Sequence, residues 1–290
     1  MRTLLQANVF FASYIFLLFL GCGGKNGVSN EFNPEDYRVK PRPTSGISEF
    51  SYDFDSAAKL VDLFPDDLSG WTSLQLVEPN GSDDIVRENK KAYAGKNGVE
   101  LQSDQFHSGC CAVKLVAPPS AGSVSKAALQ KGGFFFESGD DLWVSAWFFI
   151  QGFENYQGMF VLDIETTEFQ GSPGRRLMMS GGDNELKLES KSNVSGPEYR
   201  QAKENIIPFP KNEWVHIILH LRLSARQEGL TEIWQDSVKI IEQFGQNMPT
   251  DRTVYDRFQF GITANGSSHD KVIYIDDVVI SKQSLLESEN

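Results

Sequence analysis

From residue 49 onward the chain is a succession of short segments in which apolar and polar side chains alternate with a period of two. That period belongs to β-strands, whose side chains leave alternate faces. Strands are predicted at 49–55, 99–102, 112–117, 123–130, 142–151, 158–165, 175–180, 185–190, 213–223, 230–235, 238–243, 255–264 and 271–281. Turn residues punctuate them, among them Gly132 and Gly133, Gly139 and Asp140, Pro173 and Gly174, and Asn265 and Gly266. Gly and Asn supply the positive φ of tight turns. Only 57–63 reads as a short helix. So many strands without intervening helices exclude a parallel α/β sheet. They predict an all-β fold of two antiparallel sheets packed face to face. Trp143, Trp147, Phe148, Phe149, Trp214, Trp234, Phe258 and Phe260 lie within the strands and suit a thick sandwich core.

The folded domain is predicted to span 49–282, with 283–290 a C-terminal tail. Upstream, 22–48 contains Gly23, Gly24, Gly27, Pro34, Pro41 and Pro43 and few apolar side chains. Such a stretch buries too little surface to offset its ordering entropy and reads as a flexible tether. Twenty-seven Lys and Arg against 39 Asp and Glu give a net charge of −12. That balance disfavours nucleic acid, whose binding depends on basic patches that release counterions. A local basic groove for an anionic sugar remains compatible with it. Cys110 and Cys111 are adjacent. They read either as a vicinal disulfide or as one buried and one surface thiol. No His or Cys cluster has zinc spacing.

The first 21 residues have a short positive start at Arg2, an apolar run over 9–20 and the small residue Gly21. These are the marks of a secretory signal peptide. The run would reach about 18 Å as a helix, short of a membrane core of about 30 Å. Phe19-Leu20-Gly21-Cys22 resembles the lipobox of bacterial lipoproteins. That resemblance implies cleavage after residue 21, lipid on Cys22 and attachment to the bacterial cell envelope, at the outer membrane or cell surface.

Further on, the order of segments resembles the concanavalin-A-like jelly rolls, particularly the laminin-G-like domains and the heparin-lyase-like polysaccharide lyases. Four stretches carry the likeness: Trp214-Val215-His216-Ile217-Ile218-Leu219, then Ile233-Trp234-Gln235-Asp236, then Phe258-Gln259-Phe260-Gly261, and last Tyr274-Ile275-Asp276-Asp277-Val278. Tyr52-Asp53-Phe54-Asp55 fits the opening strand of such domains, and His107-Ser108-Gly109 fits the approach to an early one. The resemblance implies a two-sheet antiparallel jelly-roll sandwich over most of 49–281. The fold hosts lectins, lyases, hydrolases and scaffolds alike.

Three constellations could carry chemistry. On the 213–223 strand, alternation places Trp214, His216, Ile218, His220 and Arg222 on one face. In jelly rolls of this kind the concave sheet face is the sugar groove, where aromatics stack on rings and His or Arg meets carboxylates. Trp147 is the expected platform. The same face reads equally as a half-buried surface with satisfied imidazoles. A lyase needs a base for the proton next to a uronate carboxylate and a group that neutralises that carboxylate. His216 or His220 would be the base, Arg176 or Arg222 the neutraliser, with Gln259 assisting and Tyr255 or Tyr274 as further candidates. Second, Asp163 and Glu165 share a strand face, with Cα atoms roughly 6.6 Å apart. They faintly resemble the acid strand of jelly-roll glucanases with the two acid types exchanged, and are expected to touch substrate. Third, related jelly rolls often hold calcium between the first and last strands. Asp55 and Asp277 are the expected ligands, since Asp276 should point to the opposite face. No organic cofactor is expected.

The sequence therefore predicts an exported, lipid-anchored jelly roll that binds a polysaccharide. A polysaccharide lyase acting by β-elimination on a uronate-containing glycan is the runner-up. A non-catalytic surface adhesion protein or scaffold is the third reading.

Overall fold

The structure, a computed structural model, describes residues 37–286 except 68, 78–82, 87–92, 95–96, 121–123, 157, 181 and 193. The leader, Cys22 and the tether up to residue 36 lie outside the described residues. The fold is the all-β sandwich that the alternation predicts. The strands are β1 (Phe50–Tyr52), β2 (Ser73–Val77), β3 (Asp83–Val86), β4 (Tyr93–Ala94), β5 (Asn97–Gln102), β6 (Ala112–Ala117), β7 (Ser125–Glu137) and β8 (Asp141–Gln151). They continue as β9 (Met159–Glu165), β10 (Gly174–Met179), β11 (Leu186–Lys191), β12 (Trp214–Arg222), β13 (Leu230–Gln235), β14 (Val238–Phe244), β15 (Val254–Asn265) and β16 (Lys271–Ser281).

A nine-stranded sheet runs β14-β13-β12-β8-β16-β6-β5-β4, with β1 also paired to β16. A seven-stranded sheet runs β11-β10-β9-β15-β7-β2-β3. The β8–β12, β7–β15, β9–β15 and β8–β16 pairings along the middle of the sheets are antiparallel and connect strands distant in sequence. The inner faces meet in one hydrophobic core. The nine-stranded sheet contributes Leu115, Val144, Phe148, Leu219 and Ile275, and the seven-stranded sheet contributes Leu74, Leu129, Leu162, Phe258 and Phe260. Trp71 is fully buried and its ring meets Phe260 edge-on, with centroids 5.7 Å apart. Each fully buried aliphatic or Phe side chain contributes about 1.5–3 kcal/mol relative to exposure.

Several local expectations are corrected. The pair Gly132 and Gly133, read as a turn, lies inside β7, which continues to Glu137. Extra residues of β7 are absorbed where its register against β15 shifts between Tyr255 and Arg257, and Gly133 takes a φ of 88° there. The helix predicted at 57–63 is only a 3-10 turn, Leu60–Leu63. β1 is shorter than predicted because Phe54 adopts a φ of 64° and ends the extended run. Strands β2 to β4 were missed, although Leu74 and Leu76 alternate with Ser73 and Gln75. Residues 37–48 were expected within the tether but make specific contacts. Val39 and Lys40 both donate to Glu168 O, Arg38 ion-pairs with Glu168, Arg42 with Glu137 at 2.6 Å, and Ile47 bridges to Phe134. No described helix is long and apolar enough to cross a membrane.

Candidate functional site

Directly opposed residues in an antiparallel ladder leave the sheet on the same side. Along the middle of the seven-stranded sheet this rule assembles one outward row. Glu189 opposes Arg176, Arg176 opposes Asp163, Asp163 opposes Gln259, Gln259 opposes Gln130, and Gln130 opposes Ser73. A neighbouring row brings Lys191, Glu165 and Arg257 together, with Gly174 between Lys191 and Glu165. Ile164 and Phe258, between these positions in sequence, point into the core.

The outward groups form a linked set. Arg257 grips Glu165 Oε2 through Nε at 2.6 Å and Nη2 at 2.5 Å. Gln259 Nε2 donates to the same oxygen at 2.8 Å. Lys191 Nζ ion-pairs with Glu165 and lies 3.3 Å from Asp163 Oδ2. Thr263 Oγ1 donates to Asp163 Oδ1 at 2.8 Å. Asp163 and Glu165 are almost wholly shielded from solvent, while the Lys191 side chain keeps 15% exposure and Arg257 19%. Burial dominates the Lys191 amine and lowers its pKa to about 8, with Asp163 pulling the other way. Burial likewise lowers Arg257 and raises Glu189. The Arg176 guanidinium lies over Phe160, 4.3 Å from its centroid, and pairs with Glu189 at 3.0 Å. Among the described residues, the buried amide atoms Gln259 Oε1 and Gln130 Nε2 have no hydrogen-bond partner.

Four of the predicted site residues, Arg176, Asp163, Glu165 and Gln259, thus meet on one face. Trp147, His216, His220 and Arg222 stand instead on the outer face of the other sheet. There Trp147 stacks with two imidazoles, His107 at 3.6 Å and His216 at 4.7 Å between centroids. His216 Nε2 shares a hydrogen bond with Ser145 Oγ at 2.7 Å, and burial lowers its pKa. His220 stacks on Trp143 at 4.0 Å, and its two ring nitrogens bond Glu232 and Asp141, each at 2.8 Å. Arg222 donates to Glu228 O and lies over Phe244. Trp147 stacks with two imidazoles and both His220 nitrogens are engaged. Tyr255 is buried with its hydroxyl on Asn247 O, and Tyr274 bonds Gln151 from the nine-stranded sheet.

Residues 65–279 match the family model described as polysaccharide lyase. The chain belongs to the polysaccharide lyase family. Solved structures share the fold of this polysaccharide-lyase domain at low identity. The cellulose-induced protein Cip1 is 17% identical, with 81% of this chain and 97% of that one covered and a TM-score of 0.53. A variant of alginate lyase Aly36B, solved with an alginate trisaccharide, is 9% identical, with 82% and 99% covered and a TM-score of 0.51. Alginate lyase AlyC3 is 11% identical, with 72% and 89% covered and a TM-score of 0.50. No curated protein sequence matches the chain.

Sequence reasoning missed the centre of the polar face in this polysaccharide-lyase domain. Lys191, Arg257 and Thr263 were not singled out. A signal was present in Lys187-Leu188-Glu189-Ser190-Lys191, which puts Lys187, Glu189 and Lys191 on one strand face.

The expected calcium ligands do not fit a calcium cage. Asp55 Oδ1 accepts the backbone N–H groups of Cys110 and Cys111, at 2.7 and 3.3 Å. Asp277 accepts from Ser108 Oγ and meets His107 Nδ1, at 2.9 and 2.7 Å. Calcium needs six to eight oxygens, and among the described residues no three His, Cys, Asp or Glu groups gather as a metal set. Asp276 and Asp277 both serve the 107–108 loop instead of pointing apart. Asp277 takes a φ of 49° where the register of β16 on β8 jumps from Asp276 to Val279.

Proposed function

We propose that this domain cleaves a uronate-containing polysaccharide by β-elimination on the outer face of its seven-stranded sheet. One observation carries the reading: the Lys191 amine is held beside Asp163 and Glu165 with its pKa lowered to about 8. A group titrating near working pH suits proton abstraction. Family membership and the alginate-lyase fold relatives support the same chemistry.

In this reading the free Lys191 amine takes the proton from the carbon bearing the uronate carboxylate. The electron pair forms the ring double bond and expels the glycosidic oxygen at the neighbouring carbon. That oxygen is protonated by water or by the Lys191 ammonium. Arg176 and Gln259, flanking Asp163 in register, hold the uronate carboxylate and disperse the negative charge that develops on it. Glu165 fixes Lys191 and Arg257 relative to one another.

The test is incubation of the full chain with a panel of polyuronates and uronate-containing glycans, following the ultraviolet absorbance of the unsaturated product. Product is expected from the wild type, none from Lys191→Arg, which keeps the cation but cannot supply a free base, and near-normal amounts from His220→Ala. Activity that survives Lys191→Arg, or disappears in His216→Ala, would place the chemistry elsewhere.

A second reading is binding without cleavage. It is favoured by the pairing on this face, where Lys191, Arg257, Arg176 and Lys187 each meet an acidic side chain. Saturable glycan binding with no product would decide for it. The leader supports attachment of the domain to the cell envelope through lipid on Cys22.

A further inference from the structure

Cys110 and Cys111 stand just before β6, on the side of the nine-stranded sheet. Neighbouring side chains on an extended strand point to opposite faces, yet these two Sγ atoms lie 2.9 Å apart, and both cysteines are free thiols. The cause is local. A single oxygen, Asp55 Oδ1, accepts the N–H groups of both cysteines, which curls the dipeptide so that its side chains converge. Gly109, at a φ of 61°, lets the carboxylate approach, since a Cβ there would lie 1.6 Å from Asp55 Oδ2. The loop is fixed on its other side by Asp276 Oδ2, which accepts from His107 N and Ser108 N.

The two cysteines, with Asp55, Lys59, Glu100 and Leu101, line an open cavity of about 610 Å³. Cys110 is exposed and Cys111 half-buried. The hydrogen bond to Cys111 pushes the Cys110 thiol up to about 12, so Cys110 keeps its proton at neutral pH. Nothing in the proposed lyase chemistry uses this pair, which stands on the other sheet.

We infer that Cys110 and Cys111 form a redox modification site, a vicinal dithiol at the rim of this cavity that takes a disulfide donor as its substrate. Two thiols and one donor disulfide exchange to one Cys110–Cys111 cystine and two donor thiols. The sulfur–sulfur bond of the donor is reduced, the protein pair is oxidised, and both thiol protons leave with the donor sulfurs. Asp55 is the positioning group. Its two N–H bonds hold the sulfurs in reach of one another, so the mixed disulfide formed first is resolved within the same dipeptide. Ring closure turns the peptide between the two residues and redraws the rim of the cavity.

The experiment treats the full chain with oxidised glutathione, alkylates the remaining thiols, and weighs the tryptic peptide 97–114, which carries both cysteines. The expected product is a peptide about 2 Da lighter that resists alkylation. Cys110→Ser should instead retain one glutathione on Cys111. Asp55→Ala should slow closure roughly tenfold, because the oxygen that gathers both N–H groups is removed. Two glutathiones on the wild-type peptide, or two alkylated cysteines, would overturn the site. Closure at an unchanged rate in Asp55→Ala would overturn the role of Asp55. These readings do not depend on product formation from any glycan, so they stand or fall separately from the lyase assignment.

Discussion

Arg176 stands directly opposite Asp163 in the β9–β10 ladder, so the two side chains leave the seven-stranded sheet together. Glu189 on one side and Gln259 on the other extend the same row. Arg176 is more exposed than Lys191 and Arg257 of the neighbouring row, with 24% of its side chain accessible against 15% and 19%. Arg176→Ala should weaken glycan binding and lower kcat/KM by about 10–100-fold through loss of a charge-assisted hydrogen bond. Kinetics on whichever polyuronate gives product will check it. Arg222→Ala, on the other sheet, should leave kcat/KM within a few-fold.

The pH dependence follows from Lys191. Its folded pKa of about 8 lies below the unfolded value, so the free amine appears as pH rises through about 8. Activity should increase along that limb. Asp163→Asn removes an anion that holds the amine protonated, so the limb should move to lower pH. The same shift has a stability sign. Between about pH 8 and 10.4 the unfolded chain binds a proton at this residue that the folded chain has released. Linkage therefore adds stability as pH rises across that window. Denaturant melts of wild type and Lys191→Met across the window measure the difference, and parallel curves would contradict it.

His220 is expected to be structural. It bonds Asp141 and Glu232 and stacks on Trp143. His220→Ala should destabilise the fold by about 1–3 kcal/mol, since the bonds to Asp141 and Glu232 are lost and, among the described residues, Glu232 keeps Lys239 alone. Chemical denaturation reads that change.

Gly174→Ala probes how the site is positioned. A Cβ at this residue would lie 1.8 Å from the carbonyl oxygen of Ile164, next to Glu165. β9 and β10 must then separate, at a cost of about 1–3 kcal/mol. The Glu165–Lys191 pair shifts with them. Both melting temperature and any lyase activity should fall together.

The proposed membrane attachment rests on the leader. Cys22→Ala should abolish incorporation of labelled fatty acid in a bacterial host and release the protein from the membrane fraction. Unchanged labelling would remove the lipoprotein reading.

Period-two alternation, turn residues and buried aromatics were enough to determine an antiparallel two-sheet sandwich, because which side a strand residue leaves depends only on its parity. Parity alone also showed that Trp214, His216 and His220 share a face, and that Asp163 shares one with Glu165. It could not say which strands become neighbours. β9 is flanked by β10 and by β15, nearly a hundred residues away in sequence. That pairing brings Arg257, Gln259 and Thr263 to Asp163 and Glu165. It also sets Arg176 on the opposite sheet from the histidines with which it had been grouped. The bulges at Leu177, Tyr255 and Asp276 likewise shift register where no local signal announces it. Desolvation of Lys191 was beyond the sequence for the same reason. A lysine's pKa responds to the groups packed around it, and those were chosen by long-range strand pairing.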